Sequence, residues 1–268
     1  MAKYKKKRAR ELQHDRFRDT TMGFFDRLGE ALEGKGRTIL YGLGAVLLVS
    51  ILVITFVKWR NRKAGEAQQA LGRAITIATA DINETPPPNS TEPSFATEYQ
   101  RSQRAIEEFE KVAAKYGDPY RAEARYFIAS NRLLVDRPKG MTELAELSKS
   151  SVPEVAALSK FALAQAKESD GKLDEAAQLY SELAKQNSAG VSAETANLRL
   201  AKVYNKMGKK KEAADVLFNI VDASRKAKDD QNQPAPISAA AREAATELQK
   251  LDPARYAQLP PETPSLLG

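Results

Sequence analysis

Apolar residues fall along this chain in two patterns. Over residues 39–57 they run without interruption, ILYGLGAVLLVSILVITFV, and no charged side chain breaks the run. A helix rising about 1.5 Å per residue would make this segment nearly 30 Å long, the thickness of a hydrocarbon core. A buried helix of a soluble protein rarely lacks a polar stripe over five turns, and this run has none. It predicts one transmembrane helix, with Ile39, Leu43, Leu47, Ile51, Phe56 and Val57 in the bilayer. Trp59, between Lys58 and Arg60, fits the interfacial belt where an amphipathic ring sits among headgroups.

Beyond Lys63 the pattern changes to apolar residues at helical spacing, with little strand-like alternation. A helix is expected over 64–82, then an exposed proline-rich loop, NETPPPNSTEPS, over 83–94. A second helix is expected over 95–116, with Ala105, Phe109 and Val112 on one face. Pro119 opens one further helix and Pro153 another, 34 residues later. Proline is tolerated at a first turn because its missing N–H would have no helical partner there. GKLDEAAQLYSEL (171–183) and GKKKEAADVLFNI (208–220) then superpose without a gap at a shift of 37. In both, glycine ends a helix, alanine (Ala176, Ala213) marks the close approach, and Tyr180 or Leu217 follows four residues on. Small-then-large spacing on one face lets antiparallel helices interdigitate. A last helix is expected over 236–251, after the loop DDQNQPAP and before the proline-rich end LPPETPSLLG.

These units resemble the tetratricopeptide family, whose repeat is about 34 residues of paired helices. Leu200, Ala201 and Tyr204 stand where that family places the core of its first helix, with Gly208 closing it. In the preceding unit Leu163 and Ala164 fit, but Lys167 occupies the tyrosine position. The two units before that (about 97–138 and 119–152) are degenerate. The resemblance implies an all-α fold in which one transmembrane helix leads into a right-handed α-solenoid. The expected organisation is a tail (1–38), the span (39–57), a repeat domain (58–228), and a loop, capping helix and tail (229–268).

Charge alters the picture of the tail. Residues 1–63 carry 15 Lys/Arg and 6 Asp/Glu, a balance of +9, whereas the rest carries 27 and 29, a balance of −2. A cationic tail, KYKKKRAR (3–10), on a slightly acidic body points to anionic lipid rather than to a nucleic-acid-binding domain. Phe24, Phe25, Leu28 and Leu32 fall at helical spacing just before the span, as a short surface-lying helix or an ordinary lead-in would have them. The chain has no cysteine and a single histidine, His14. That removes thiol chemistry, common zinc sites and histidine triads. No phosphate loop or nucleophile elbow occurs, and adjacent acids such as Glu107 and Glu108 diverge on a helix. No enzyme, cofactor or metal is expected.

The basic tail, FFDRLGEALEGKGR, one span, the exit VKWRNRK and degenerate helix pairs together resemble the YfgM-type family. The resemblance implies a bacterial inner-membrane protein, N-terminus cytoplasmic and repeat domain periplasmic. It further implies a signal-anchored scaffold near the Sec translocon, with translocon components, chaperones or exported polypeptides as partners. The proline-rich loop and the longer basic tail depart from a minimal member. The long segment before the span and the absence of a small-residue cleavage pattern after it point to an uncleaved anchor. Orientation by charge is divided. The whole tail carries 11 Lys/Arg, but the nearest 20 residues hold three before the span (19–38) and five after it (58–77). The alternatives are a scaffold for another envelope complex and a membrane-anchored repeat adaptor facing the cytoplasm. The adaptor's groove would present Thr195, Leu198, Lys202 and Asn205, where a carboxylate clamp is weakened by leucine at 198. Candidate partner-binding residues are Arg125, Lys202 and Asn205.

Overall fold

The computed structural model describes residues 36–83, 93–186, 188 and 190–262. The basic tail, the lead-in at Phe24 to Leu32, most of the proline-rich loop and the last six residues lie outside the described residues. The chain divides into two units, residues 1–65 and 66–268.

The described part of the first unit is helix α1, Gly36–Ala78, which runs on past the unit's end. Its most apolar 18-residue window has a mean hydropathy of 2.1, and none of it is buried. It is long and apolar enough to cross a membrane. The anchor side chains with described surfaces are exposed, from 41% at Val57 to 64% at Leu43, with Leu47, Ile51, Phe56 and Trp59 between. Ser50 donates its hydroxyl to the Val46 carbonyl (2.8 Å), so the hydroxyl in mid-run is satisfied within the helix.

The second unit begins within the same helix. The helix expected over 64–82 is the continuation of α1: no residue at 58–64 breaks it, and it ends at Ala78, four residues short of the expected end. Asp81–Ile82 (β1) instead pairs in parallel with Ser94–Phe95 (β2), and the Asn83 amide donates to the Phe95 carbonyl at 2.9 Å. Eight helices follow: α2 (Glu98–Lys115), α3 (Tyr120–Val135), α4 (Arg137–Leu147), α5 (Pro153–Ser169), α6 (Leu173–Lys185), α7 (Ala193–Lys206), α8 (Lys210–Lys226) and α9 (Ala239–Leu251). A single turn, α10 (Pro253–Tyr256), completes the described elements. From α2 onward each helix packs on the next, and α3 also meets α5 as α7 meets α9.

Local chemistry sets these boundaries. Thr97, Ser192 and Ser238 cap α2, α7 and α9 by accepting a backbone N–H from three residues on. α2 and α9 therefore start at Glu98 and Ala239, a few residues later than the apolar pattern alone places them. Helix α4, hidden inside the expected 119–152 unit, is separated from α3 by one residue. Asp136 ends α3 and accepts the Lys139 N–H, and Pro138 occupies the first turn of α4. Asp252 repeats this junction between α9 and α10, with the same backbone conformation (φ −147°, ψ 85° at Asp136; −146°, 83° at Asp252) and Pro253 after it.

The two units at a 37-residue shift fold alike. Gly171 and Gly208 have φ of 74° and 77°, the left-handed region that a Cβ penalises. The Lys172 amide reaches back to the Lys167 carbonyl and the Lys209 amide to the Tyr204 carbonyl, both at 2.9 Å. Gly171 and Gly208 donate to Glu168 and Asn205 (3.1 and 3.0 Å). This is a Schellman closure, and it turns each helix back along its predecessor.

The second unit's core is a chain of four apolar clusters, each shared by three consecutive helical segments. Ala67, Leu71 and Ala74 of α1 meet Ala105 and Phe109 of α2 and Ile128 of α3. Ala129, Leu144 and Leu163 join α3, α4 and α5. Ala164, Ala176, Tyr180 and Leu200 join α5, α6 and α7. Ala201, Leu217 and Leu248 join α7, α8 and α9. Phe109 and Tyr180 have no exposed surface, and each contributes about 1.5–3 kcal/mol through burial.

Candidate protein-binding surface

The residues named for the repeat core divide into three groups in the structure. Ala105, Phe109, Ala164, Ala176, Tyr180, Leu200, Ala201, Ala213 and Leu217 are buried. Tyr204 is half-buried, with the Lys209 ammonium 5.9 Å from its ring centroid. Gly208 is exposed: it serves the turn through its backbone and fills no core position.

Cross-helix ion pairs line the packed helices. Lys206 of α7 donates to Glu168 of α5, which also accepts the Tyr180 hydroxyl at 3.2 Å. Burial, followed by the Glu168 charge, pushes the Tyr180 phenol well above its ordinary value, so it stays a neutral donor. Lys160 pairs with Glu182 (3.0 Å) and Lys167 with Glu175, tying α5 to α6. The hydrogen bond from each lysine holds its glutamate below the usual carboxylate value. Glu123 of α3 goes the other way. Desolvation raises it first, and Glu154, at the start of α5, adds like-charge repulsion.

The three candidate binding residues are not brought together. Lys202 is ion-paired with Glu243 of α9, whose carboxyl is lowered chiefly by that hydrogen bond. Leu198, placed by the sequence in a groove, is instead 4% exposed in the cluster shared with α8 and α9. Helix α9 pairs with Lys202 and shares the cluster that buries Leu198, so the four clamp positions do not stand open together. Asn205 is exposed one turn beyond Lys202. Arg125 lies on α3, exposed and 3.9 Å from Glu146.

Among the described residues, clefts open at two places that bear on binding. One of about 330 Å³ is lined by Arg121 and Arg125 of α3, Glu146 of α4, and Ser150 and Ser151 of the following turn. Its two cations are matched by Asp118 and Glu146, which makes it polar without a net charge. The other, of about 400 Å³, lies among α4, α5 and α6, where Met141, Ala145, Leu163 and Leu179 form an apolar floor. Thr142, Gln178 and the Lys167–Glu175 pair form its rim. Sequence reasoning missed this cleft because it missed α4. The signal was there in the four-residue spacing of Met141 and Ala145, which puts both on one helix face. Among the described residues no group of three or more His, Asp or Glu side chains is placed to hold a metal ion.

No protein-family model matches this chain, and no curated protein matches it either. Among solved structures it is similar to a Podosopora anserina kinesin light chain with nearly identical TPR-like repeats, and to a single-substitution variant of that protein. In each case identity is 19%, the TM-score is 0.43, and the match covers 59% of this chain and 81% of the other. The chain's own geometry shows two hairpins closed by matching glycine turns within an array of consecutively packed helices.

Proposed function

We propose that this chain is a membrane-tethered, protein-binding scaffold of the YfgM type. Its span lies in a bacterial inner membrane with the N-terminal tail cytoplasmic and the repeat domain periplasmic. There it assists protein export or the handling of envelope proteins near the Sec translocon. The observation that carries this reading is the conjunction in one chain of an exposed apolar helix segment and a helix-hairpin array. The first needs a non-aqueous solvent to cover it. The second offers shallow clefts and ion-paired helix faces, which suit polypeptide side chains better than a small substrate. Translocon subunits, chaperones and exported chains are the partners this placement makes available. The tail of Lys3 to Arg10 adds attraction to anionic lipid on its own side.

A second reading reverses the topology and makes the protein a cytoplasmic adaptor. The cations Lys58, Arg60, Arg62 and Lys63, directly after the span, favour it. Protease treatment of intact and permeabilised spheroplasts, following a C-terminal epitope, separates the two. Loss of the epitope from intact spheroplasts supports the periplasmic scaffold. Protection until lysis overturns it in favour of the adaptor. Crosslinking of the full chain in intact envelopes, with recovery of translocon or chaperone subunits, then tests the partner class.

A further inference from the structure

The segment that closes the span is chemically unlike the rest of the molecule. Within six residues, Lys58, Arg60, Arg62 and Lys63 supply four cations, and Trp59 stands among them. They continue the same helix, α1, as the apolar run. At 3.6 residues per turn these five side chains occupy about 200° of the helix circumference, and Asn61 faces the other way. The collar is therefore one-sided. Glu66, the next acidic residue, follows about one turn beyond it over the same sector.

Geometry within the collar is specific. Trp59 is 53% exposed, and the Lys63 ammonium sits 4.3 Å from its ring centroid. Phe56, the last aromatic of the apolar run, lies 6.2 Å from Trp59, centroid to centroid. An ammonium over an indole face keeps N–H donors pointing outward while the ring lies against apolar neighbours. Along the axis, six residues cover about 9 Å, slightly more than the roughly 5–7 Å headgroup layer that flanks a hydrocarbon core. The four cations therefore fall at phosphate depth once the apolar run fills the bilayer. Arginine adds a planar fork that matches a phosphodiester.

We infer that residues 58–63 form a selective site for anionic phospholipid headgroups, on the leaflet at the C-terminal end of the span. This site is separate from any lipid attraction of the N-terminal tail, which lies at the other end of the apolar run. The inference rests on the membrane-anchored reading above. It also gives the four cations a purpose other than setting topology, so their number would not by itself argue for a cytoplasmic repeat domain.

Trp59 is the chain's only tryptophan, which makes the test direct. The full chain is reconstituted in mixed phosphatidylglycerol–phosphatidylcholine vesicles, with bromines near the top of the acyl chains of one lipid or of the other. At equal mole fractions, brominated phosphatidylglycerol is expected to quench Trp59 about twofold more than brominated phosphatidylcholine. The combined variant Lys58→Gln, Arg60→Gln, Arg62→Gln and Lys63→Gln should bring the ratio to one. Exchanging lysine and arginine at all four positions should keep it near twofold. Equal quenching in the unaltered chain overturns the site while leaving the anchor intact. Persistent preference in the glutamine variant overturns it too, by moving the lipid contact elsewhere. If neither lipid quenches Trp59, the anchor reading fails and the site fails with it.

Discussion

The turn from α5 to α6 and the turn from α7 to α8 are copies of one another; the turn from α3 to α4 is not. In the copies, glycine is needed for its backbone, since Gly171 and Gly208 have positive φ and open space where a Cβ would stand. In the α3–α4 hairpin the glycine lies inside the second helix and is needed for its size. A Cβ on Gly140 would meet the Leu133 amide nitrogen at 2.7 Å and the Ala129 carbonyl oxygen at 2.9 Å, backbone atoms with no room to yield. The same residue type thus closes one hairpin by conformation and another by contact. Only the first leaves a motif at fixed spacing. The second depends on how closely two helices cross, which the one-residue junction at Asp136 sets.

The comparison can be broken at its centres first. Phe109 stacks on Phe127 (4.8 Å between centroids) in the less regular region, and Tyr180 meets Phe161 edge-on (5.6 Å) in the regular one. Phe109→Ala and Tyr180→Ala should each cost about 3–5 kcal/mol in urea unfolding of the full chain in detergent. If the Phe109 loss were under about 1 kcal/mol, the α1–α2–α3 cluster would not be a packed core of equal standing. Gly140→Ala is expected next, at about 1–3 kcal/mol of overpacking. Gly171→Ala and Gly208→Ala should follow at about 1–2 kcal/mol, equal to each other because their turns are equal. The comparison predicts opposite rescue at the two sites. Asparagine, which tolerates positive φ, should recover part of the loss at 171 and 208 and none at 140, read from the same unfolding midpoints.

The smallest effect concerns charge. Glu123 has its carboxyl raised by burial and by Glu154, so folding favours its protonated form. Its cost to stability is absent below the unfolded value and appears as pH rises through the folded one. Glu123→Gln should therefore stabilise by a few tenths of a kcal/mol, about the scale of an exposed charge effect, at neutral pH and not in acid. Glu182 and Glu243 have the opposite sign. Their lowered carboxyls contribute above the unfolded value and lose that contribution as pH falls through the folded one. A Glu123→Gln gain that persisted unchanged in acid would mean packing, not charge, is responsible.

The sequence by itself determined whatever is written in periodicity and fixed spacing. An uninterrupted apolar run with no polar face can form only a helix that leaves its whole circumference apolar, and α1 does so. The doublet at 171 and 208 required the same turn twice, because glycine, polar turn and alanine recur at one offset. Long-range packing decided the rest. Pro138 and Gly140 look like breakers in sequence, yet α4 forms because Asp136 caps it and α3 lies close enough to need a residue without a side chain. Lys202 and Leu198 look available on the periodicity of α7, yet α9 folds back over them, pairing the first and burying the second. A helix can announce which of its faces is apolar. It cannot announce which neighbour, many residues later in the chain, will cover its polar face, because that depends on where the intervening turns send the backbone.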